Sequence, residues 1–174
     1  ASKLLGNVLL SRGFDVKVSE VHGMSQRGGS VVTYVRYGDK VYSPIVSEGE
    51  ADAVVSFERL EAARWLPYLK EGGRLIVNDQ RIDPMPVITG AAQYPDGVLE
   101  KLAATGANLL AVDALSLAEQ AGSAKAVNVV LMGVLSTLLD IPEEAWQASL
   151  EACVPAKFLE LNRRAFALGR NHTA

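Results

Sequence analysis

Between two stretches rich in β-branched residues runs Ser19-Glu20-Val21-His22-Gly23-Met24-Ser25-Gln26-Arg27-Gly28-Gly29-Ser30. Arg27 carries a permanent charge and a planar fork of donors, the shape that meets a carboxylate or a phosphate. Glu20 and His22 are a pair that can exchange a proton. Ser19, Ser25 and Gln26 add neutral donors and acceptors, and Met24 is the one large apolar side chain between His22 and Arg27. Gly23, Gly28 and Gly29 let a ligand or another backbone come close. The residues alone leave two readings open. One is a binding loop, since connecting segments carry function more often than cores do. The other is a glycine-rich turn between strands whose polar groups are simply solvated.

Other polar positions have weaker chemical readings. Asn78-Asp79 follows the strand pattern at 74–77, and ligands of open α/β sheets gather at the carboxyl ends of strands. A turn cap explains the same pair. Asp113 sits between a strand pattern and a helix pattern, where helix capping accounts for it. Glu48 and Glu50 flank Gly49 and read as a solvated turn. His22 and His172 are the only two histidines, so histidine spacing offers no metal site. Cys153 falls within an apolar helical stripe and reads as a core residue rather than a nucleophile.

The elements that must position these residues follow from periodicity and punctuation. Helices are expected over 2–13 (stopped by Gly13), 58–69 (stopped by Gly72-Gly73), 96–105, 114–121, 124–139, 143–153 and 156–168. Strands are expected over 15–21, 53–57, 74–77 and 108–112. The stretches 30–37 and 40–45, parted by Gly38-Asp39, read as a hairpin. Proline-rich 83–95 reads as irregular with a short strand at Val87-Ile88. Helix 124–139 is apolar nearly all round, which marks a helix buried on all sides. It is read as a core helix, the alternative being one face given to a partner through Asn128, Gly133 and Ser136. Trp146, Leu150 and Cys153 form one amphipathic stripe, and Phe158, Leu161, Ala165 and Leu168 another. Strands alternating with helices argue for an α/β, layered, Rossmann-like domain with a mostly parallel, mixed sheet and a helical C-terminal part.

Composition narrows the class. At 174 residues with 49% apolar content, the chain fits a single domain, 1–174, with a substantial core. A net charge of −3 and no arginine–aromatic cluster argue against nucleic acid. The longest apolar run, 126–139, is shorter than the roughly 20 residues a membrane span needs. One cysteine excludes a disulfide framework or a cysteine-ligated iron–sulfur cluster held by this chain. A reduced, cytoplasmic setting is the default expectation.

The 19–30 segment also resembles the signature of the gamma domain of 2-oxoacid:ferredoxin oxidoreductases. There a Ser, a Gly and an Arg-Gly-Gly are spaced much as Ser19, Gly23 and Arg27-Gly28-Gly29 are here. The whole string from Ser19 to Val31 is similar to the indolepyruvate branch of that family, that of its beta subunits. Ile76-Val77-Asn78-Asp79, Met85-Pro86-Val87, Asn128-Val129-Val130-Leu131-Met132-Gly133 and Val154-Pro155-Ala156-Lys157-Phe158-Leu159-Glu160-Leu161-Asn162 fit it as well, so the resemblance spans nearly the whole chain. The family pattern also has a hydrophobic strand and a Gly-x-Gly-Gly-Gln-Gly loop before the first helix. Ala1-Ser2-Lys3-Leu4-Leu5-Gly6 resembles the interior of that helix, and the strand and loop are expected upstream of it.

The resemblance implies an oxidoreductase acting on the oxo group of 2-oxoacids, active only within a heteromer of anaerobic metabolism. An indolepyruvate or other arylpyruvate would be oxidatively decarboxylated to an acyl-coenzyme A, with electrons passed to ferredoxin. Thiamine diphosphate, Mg2+ and [4Fe-4S] clusters are expected in a larger alpha subunit, coenzyme A is the co-substrate, and this chain alone binds no cofactor. No catalytic base or metal ligand is assigned here. Ser19, Glu20, His22, Gly23, Met24, Ser25, Gln26, Arg27, Gly28 and Gly29 would form a loop facing the partner's active site, and Asn78 and Asp79 a possible ligand edge. The alternatives are a structural subunit that only completes the heteromer, and a Rossmann-type nucleotide-binding module. The last needs a glycine fingerprint after a first strand, which this sequence does not show.

Overall fold

The computed structural model describes residues 1–21 and 31–172. Two units emerge from the contacts, each built from separate pieces of chain. The first takes Ala1–Val18, Val35–Pro44 and Asp113–Ala174; the second takes Ser19–Tyr34 and Ile45–Val112.

The second unit carries the parallel sheet. Strands β3 (Ala51–Ser56), β4 (Leu69–Asn78) and β5 (Asn108–Val112) lie side by side in that order. Register pairs Val54 with Leu75 and Val55 with Ile76 on one side of β4, and Ile76 with Leu110 on the other. Leu75, Ile76 and Val77 are fully buried, as expected of a central parallel strand covered on both faces. Helices α2 (Arg59–Trp65) and α4 (Val98–Ala104) cover a core of Ala62, Leu75, Val77, Tyr94, Val98 and Leu102. Tyr34, Trp65 and Tyr68 form a neighbouring aromatic group, with Trp65 and Tyr68 ring centroids 4.9 Å apart.

The first unit is mainly helical: α1 (Ser2–Ser11), α5 (Ala114–Ala121), α6 (Val127–Ser136), α7 (Glu143–Cys153) and α8 (Leu159–Asn171). Helix α6 is buried from Val129 through Ser136, so the core-helix reading of this segment holds. It packs on α8 at unusually short range. A Cβ on Gly133 would lie 2.1 Å from the Phe166 carbonyl oxygen, and one on Gly169 would lie 1.9 Å from that of Val130. Both positions must be glycine because backbone meets backbone there. Arg170 pins the same contact, its Nη1 donating to Ser136 Oγ at 2.7 Å, while Trp146 and Phe166 rings stack 5.6 Å apart.

Strands β1 (Asp15–Val21) and β2 (Val32–Gly38) form a two-stranded sheet apart from the parallel one. The α/β class is as expected, with the strands divided between two sheets. Several local expectations are corrected. No hairpin joins 30–37 to 40–45. Residues 40–45 form no strand, because Pro44 has no donor for a ladder and the Val41 amide goes to Asp15 Oδ2 at 2.9 Å. Lys17 and that amide together hold the Asp15 carboxyl below its ordinary range.

The 83–95 stretch has no strand at Val87-Ile88. It winds into the short helix α3 (Met85–Ile88), with Pro86 in its first turn, where a missing N–H costs little. Helix 58–69 ends at Trp65, followed by a tight turn at Leu66–Tyr68. Gly72-Gly73 lies inside β4, which therefore starts at Leu69 rather than Arg74. The chain advances from Leu69 to Arg74 while β3 advances only from Ala51 to Ala53, and Gly72 at φ 73° absorbs the excursion.

The buried face of α8 is Ala165, Phe166 and Gly169, whereas Phe158 is exposed and Leu161 and Leu168 are only partly covered. The close α6 contact turns the helix toward its glycine. Cys153 is half-buried at the end of its stripe, its thiol 3.9 Å from the Lys3 carbonyl oxygen. Among the described residues, no helix is long and apolar enough to cross a membrane.

The glycines give a test with opposite signs. Gly133→Ala or Gly169→Ala should lower the unfolding free energy by about 2–3 kcal/mol through overpacking. Gly6→Ala, in a helix where the added methyl meets only Val18 at 3.9 Å, should raise it by roughly 0.5–1 kcal/mol. Urea titrations followed by circular dichroism read both, and a neutral Gly169→Ala would refute the close-contact account.

Candidate functional site

Residues 19–30 lie at the end of β1 and in its connection to β2. Ser19 is half-buried and Glu20 exposed near the end of β1. His22, Gly23, Met24, Ser25, Gln26, Arg27, Gly28 and Gly29 lie outside the described residues. Both described shoulders of the loop present apolar side chains to solvent: Val21 is 46% exposed and Val31 54%.

The second candidate, Asn78-Asp79, lies where the fold requires, at the carboxyl end of the central parallel strand. Asp79 N continues the ladder by donating to the Val112 carbonyl at 2.7 Å. Asn78 is buried, and its Nδ2 donates to the Phe57 carbonyl at 3.1 Å and to Gln80 Oε1 at 2.9 Å. The Asp79 carboxylate accepts from Arg59 Nε at 2.5 Å. Asn78 thus ties the end of β4 to the end of β3, and Asp79 ties it to the start of α2.

At the centre of this edge sits a residue that sequence reasoning did not single out. Glu58 follows β3 and is buried. Its Oε2 accepts from the Glu61 amide at 2.9 Å, capping α2. Its Oε1 accepts from the Tyr94 hydroxyl and, at 3.4 Å, from the Ile82 amide. Ser56 Oγ donates to the Glu58 carbonyl at 2.6 Å. Three segments of chain thus converge on one carboxylate: the β3–α2 junction, the connection after β4, and the approach to α4. Charge-assisted hydrogen bonds of this kind contribute about 1.5–3 kcal/mol each.

Around this centre the charges are matched. Arg81 donates from Nε and Nη2 to the two oxygens of Asp83, at 2.6 and 3.3 Å, and its guanidinium lies 4.5 Å from the Tyr94 ring centroid. Burial and the Glu58 carboxylate push the Tyr94 phenol well above its ordinary range, so it stays a donor. With both carboxylate oxygens engaged, Glu58 clasps the three segments together. Among the described residues, no group of three His, Cys, Asp or Glu side chains is arranged to hold a metal ion. Asp113 caps α5, accepting from the Ser116 amide at 3.0 Å, and Glu50 closes its own turn on the Ser47 amide at 3.1 Å, both as read from sequence.

The sequence held one usable signal for Glu58, an acidic residue just ahead of a helix pattern. Nothing in it points from Glu58 to Tyr94, which lies 36 positions away. Only the fold brings the two together.

Comparison with known proteins places the chain in a family. A family model described as pyruvate ferredoxin/flavodoxin oxidoreductase matches residues 1–172. The chain is 44% identical over 174 residues to the indolepyruvate oxidoreductase subunit IorB of Thermococcus kodakarensis, covering 97% of this chain and 86% of that one. It is 43% identical over 176 residues to the subunit of the same name from Pyrococcus horikoshii, with the same coverage of 97% and 86%. Among solved structures, the gamma subunit of a keto/oxoacid ferredoxin oxidoreductase from Geobacter sulfurreducens superposes with a TM-score of 0.69 at 22% identity, over 98% of this chain and 87% of that one. That likeness speaks to the fold.

The Tyr94–Glu58 pair predicts a pH signature. The phenol titrates at about 10.0 when unfolded and higher when folded, so its contribution to stability is complete below that value and falls away as pH rises above it. The urea midpoint should therefore decline above pH 10.0. Tyr94→Phe should flatten that decline and cost about 1–3 kcal/mol at neutral pH by removing a donor from a buried carboxylate. An unchanged alkaline decline in Tyr94→Phe would count against the clasp.

Proposed function

The chain belongs to the pyruvate ferredoxin/flavodoxin oxidoreductase family, as a subunit of a 2-oxoacid ferredoxin oxidoreductase, and from that premise we propose that it serves an indolepyruvate-type enzyme. An indolepyruvate or related arylpyruvate loses carbon dioxide, its acyl carbon passes to the coenzyme A thiol, and the electron pair released goes to ferredoxin. The observation that carries this reading is the 44% identity to an indolepyruvate oxidoreductase subunit, sustained over 97% of the chain.

Thiamine diphosphate, Mg2+ and [4Fe-4S] clusters belong, in this reading, to a larger alpha subunit. Thiamine diphosphate would supply the electron sink for decarboxylation and the clusters the route to ferredoxin. A chain with one cysteine, Cys153, half-buried against a backbone carbonyl, does not offer four thiolates to a cluster. Its contribution is to bind, orient and exclude water. The 19–29 loop closes over the partner's active site, with Arg27 meeting an anionic group of substrate, coenzyme A or partner. Exposed Val21 and Val31 at the loop's shoulders support a covered rather than a solvated position.

The assembled enzyme tests this. With native upstream residues and the larger subunit of the same genome, indolepyruvate- and coenzyme A-dependent dye reduction should require both chains. Arg27→Ala should then lower kcat/KM by roughly tenfold to a hundredfold, the loss of one charge-assisted contact, without changing the melting curve of this subunit. Wild-type kinetics in the variant would refute the role of Arg27. Weakened assembly with normal kinetics at saturating partner would favour a purely structural subunit.

A further inference from the structure

A carboxyl side chain can react with the main chain that follows it, and aspartate before glycine is the pairing with least in the way, since glycine has no side chain to block the approach. Asp96-Gly97 is the one such pair in the chain, and no asparagine precedes a glycine. Both residues are exposed, between buried Tyr94 and buried Val98. Gly97 stands at the start of α4 with φ 64° and ψ 36°, a backbone that a side chain would strain. Its carbonyl accepts from the Lys101 amide, whereas its own N–H has no protein acceptor among the described residues. The other aspartates are worse placed. Asp52 leads into Ala53 in the β3 ladder, Asp83 precedes a proline, and the amides after Asp79 and Asp140 are spent on the Asn78 and Leu139 carbonyls. Asp39 precedes Lys40, whose side chain crowds the approach.

We propose that Asp96 is a site of spontaneous main-chain modification, isomerising to isoaspartate in the folded chain. The Gly97 nitrogen bonds to Asp96 Cγ, and the carboxyl OH leaves with the amide hydrogen as water, closing a cyclic imide. Water then adds at either imide carbonyl. Addition at Cγ breaks the new N–Cγ bond and restores aspartate. Addition at the main-chain carbonyl breaks the original peptide bond, so the chain now runs through Cγ and carries a free α-carboxylate. The water lost is regained, and no oxidant or reductant enters. With few hydrogen bonds of its own, the 95–97 stretch can bend for this attack by local opening, without global unfolding. The product lengthens the main chain by one carbon between Tyr94 and Val98, which share one buried core. It therefore disturbs the segment that brings the Tyr94 hydroxyl to Glu58.

The test is incubation of the folded full chain at neutral pH and raised temperature, in water labelled with heavy oxygen, followed by tryptic peptide mapping. Cleavage after Arg81 and Lys101 isolates residues 82–101, with Asp96 inside. That peptide should yield a second chromatographic form with one heavy oxygen at residue 96, and an isoaspartate-specific methyltransferase should methylate it. Asp96→Glu keeps the charge but would have to close a larger ring, and it should lose that form. Aged wild-type protein should show a lower urea midpoint than fresh protein, and aged Asp96→Glu should not. If residue 96 stays unchanged in the folded chain while the excised 82–101 peptide isomerises, the proposal is overturned. Faster isomerisation at Asp39 than at Asp96 overturns it as well. An isomerised chain with an unchanged urea midpoint overturns the stated consequence for the Tyr94 segment.

Discussion

A carboxylate removed from water must find donors elsewhere, and Glu58 finds them on three segments that the sequence keeps far apart. That requirement organises the end of the parallel sheet. One oxygen caps α2, so the helix starts where β3 stops. The other holds the Tyr94 hydroxyl and the Ile82 amide, so the approach to α4 and the connection after β4 cannot drift apart. Arg81 then lies over a Tyr94 ring whose orientation is already set. Partly satisfied, such a network would be worse than an apolar core. With its oxygens engaged, it becomes a rigid rim on which exposed side chains keep fixed places.

The helical unit meets a different constraint with a similar outcome. Helices usually pack 8–10 Å apart because side chains hold them off. Gly133 and Gly169 remove that spacing, and the α6 and α8 backbones come together directly. The consequence reaches along α8: Phe166 turns inward onto Trp146, while Phe158 at the start of the segment is left exposed. A stripe chosen by hydrophobicity alone picks Phe158, Leu161, Ala165 and Leu168, of which only Ala165 is fully buried, because side-chain size is the visible signal. Missing side chains are the signal that decided the face.

The same contrast explains what was legible along the chain. Strands β1 and β5 and helix α7 matched their expected bounds, because each has a strong local period and clear punctuation. Asp113 was legible as a cap because capping is a local act. No hairpin forms at 40–45 because Pro44 lacks a donor for the ladder and Asp15 takes the Val41 amide from 26 positions away. Gly72-Gly73 looked like a helix stop and proved to be a strand excursion, since both uses need the same backbone freedom. Asn78 and Asp79 were visible as polar residues at a strand end, yet their partners Phe57 and Arg59 come from the junction between β3 and α2. Glu58 with Tyr94 was the least legible pair, being a contact made by tertiary structure alone.

These features bear on what a small subunit can contribute to a 2-oxoacid ferredoxin oxidoreductase. One cysteine and two histidines leave little with which to carry electrons or ligate a metal. What the chain can supply is geometry: a glycine-bearing loop with one arginine, and a sheet edge whose polar atoms are spent internally so that its apolar ones face outward. Exposed Phe57, Ile82, Met85 and Ile88 sit beside ion pairs that already neutralise each other.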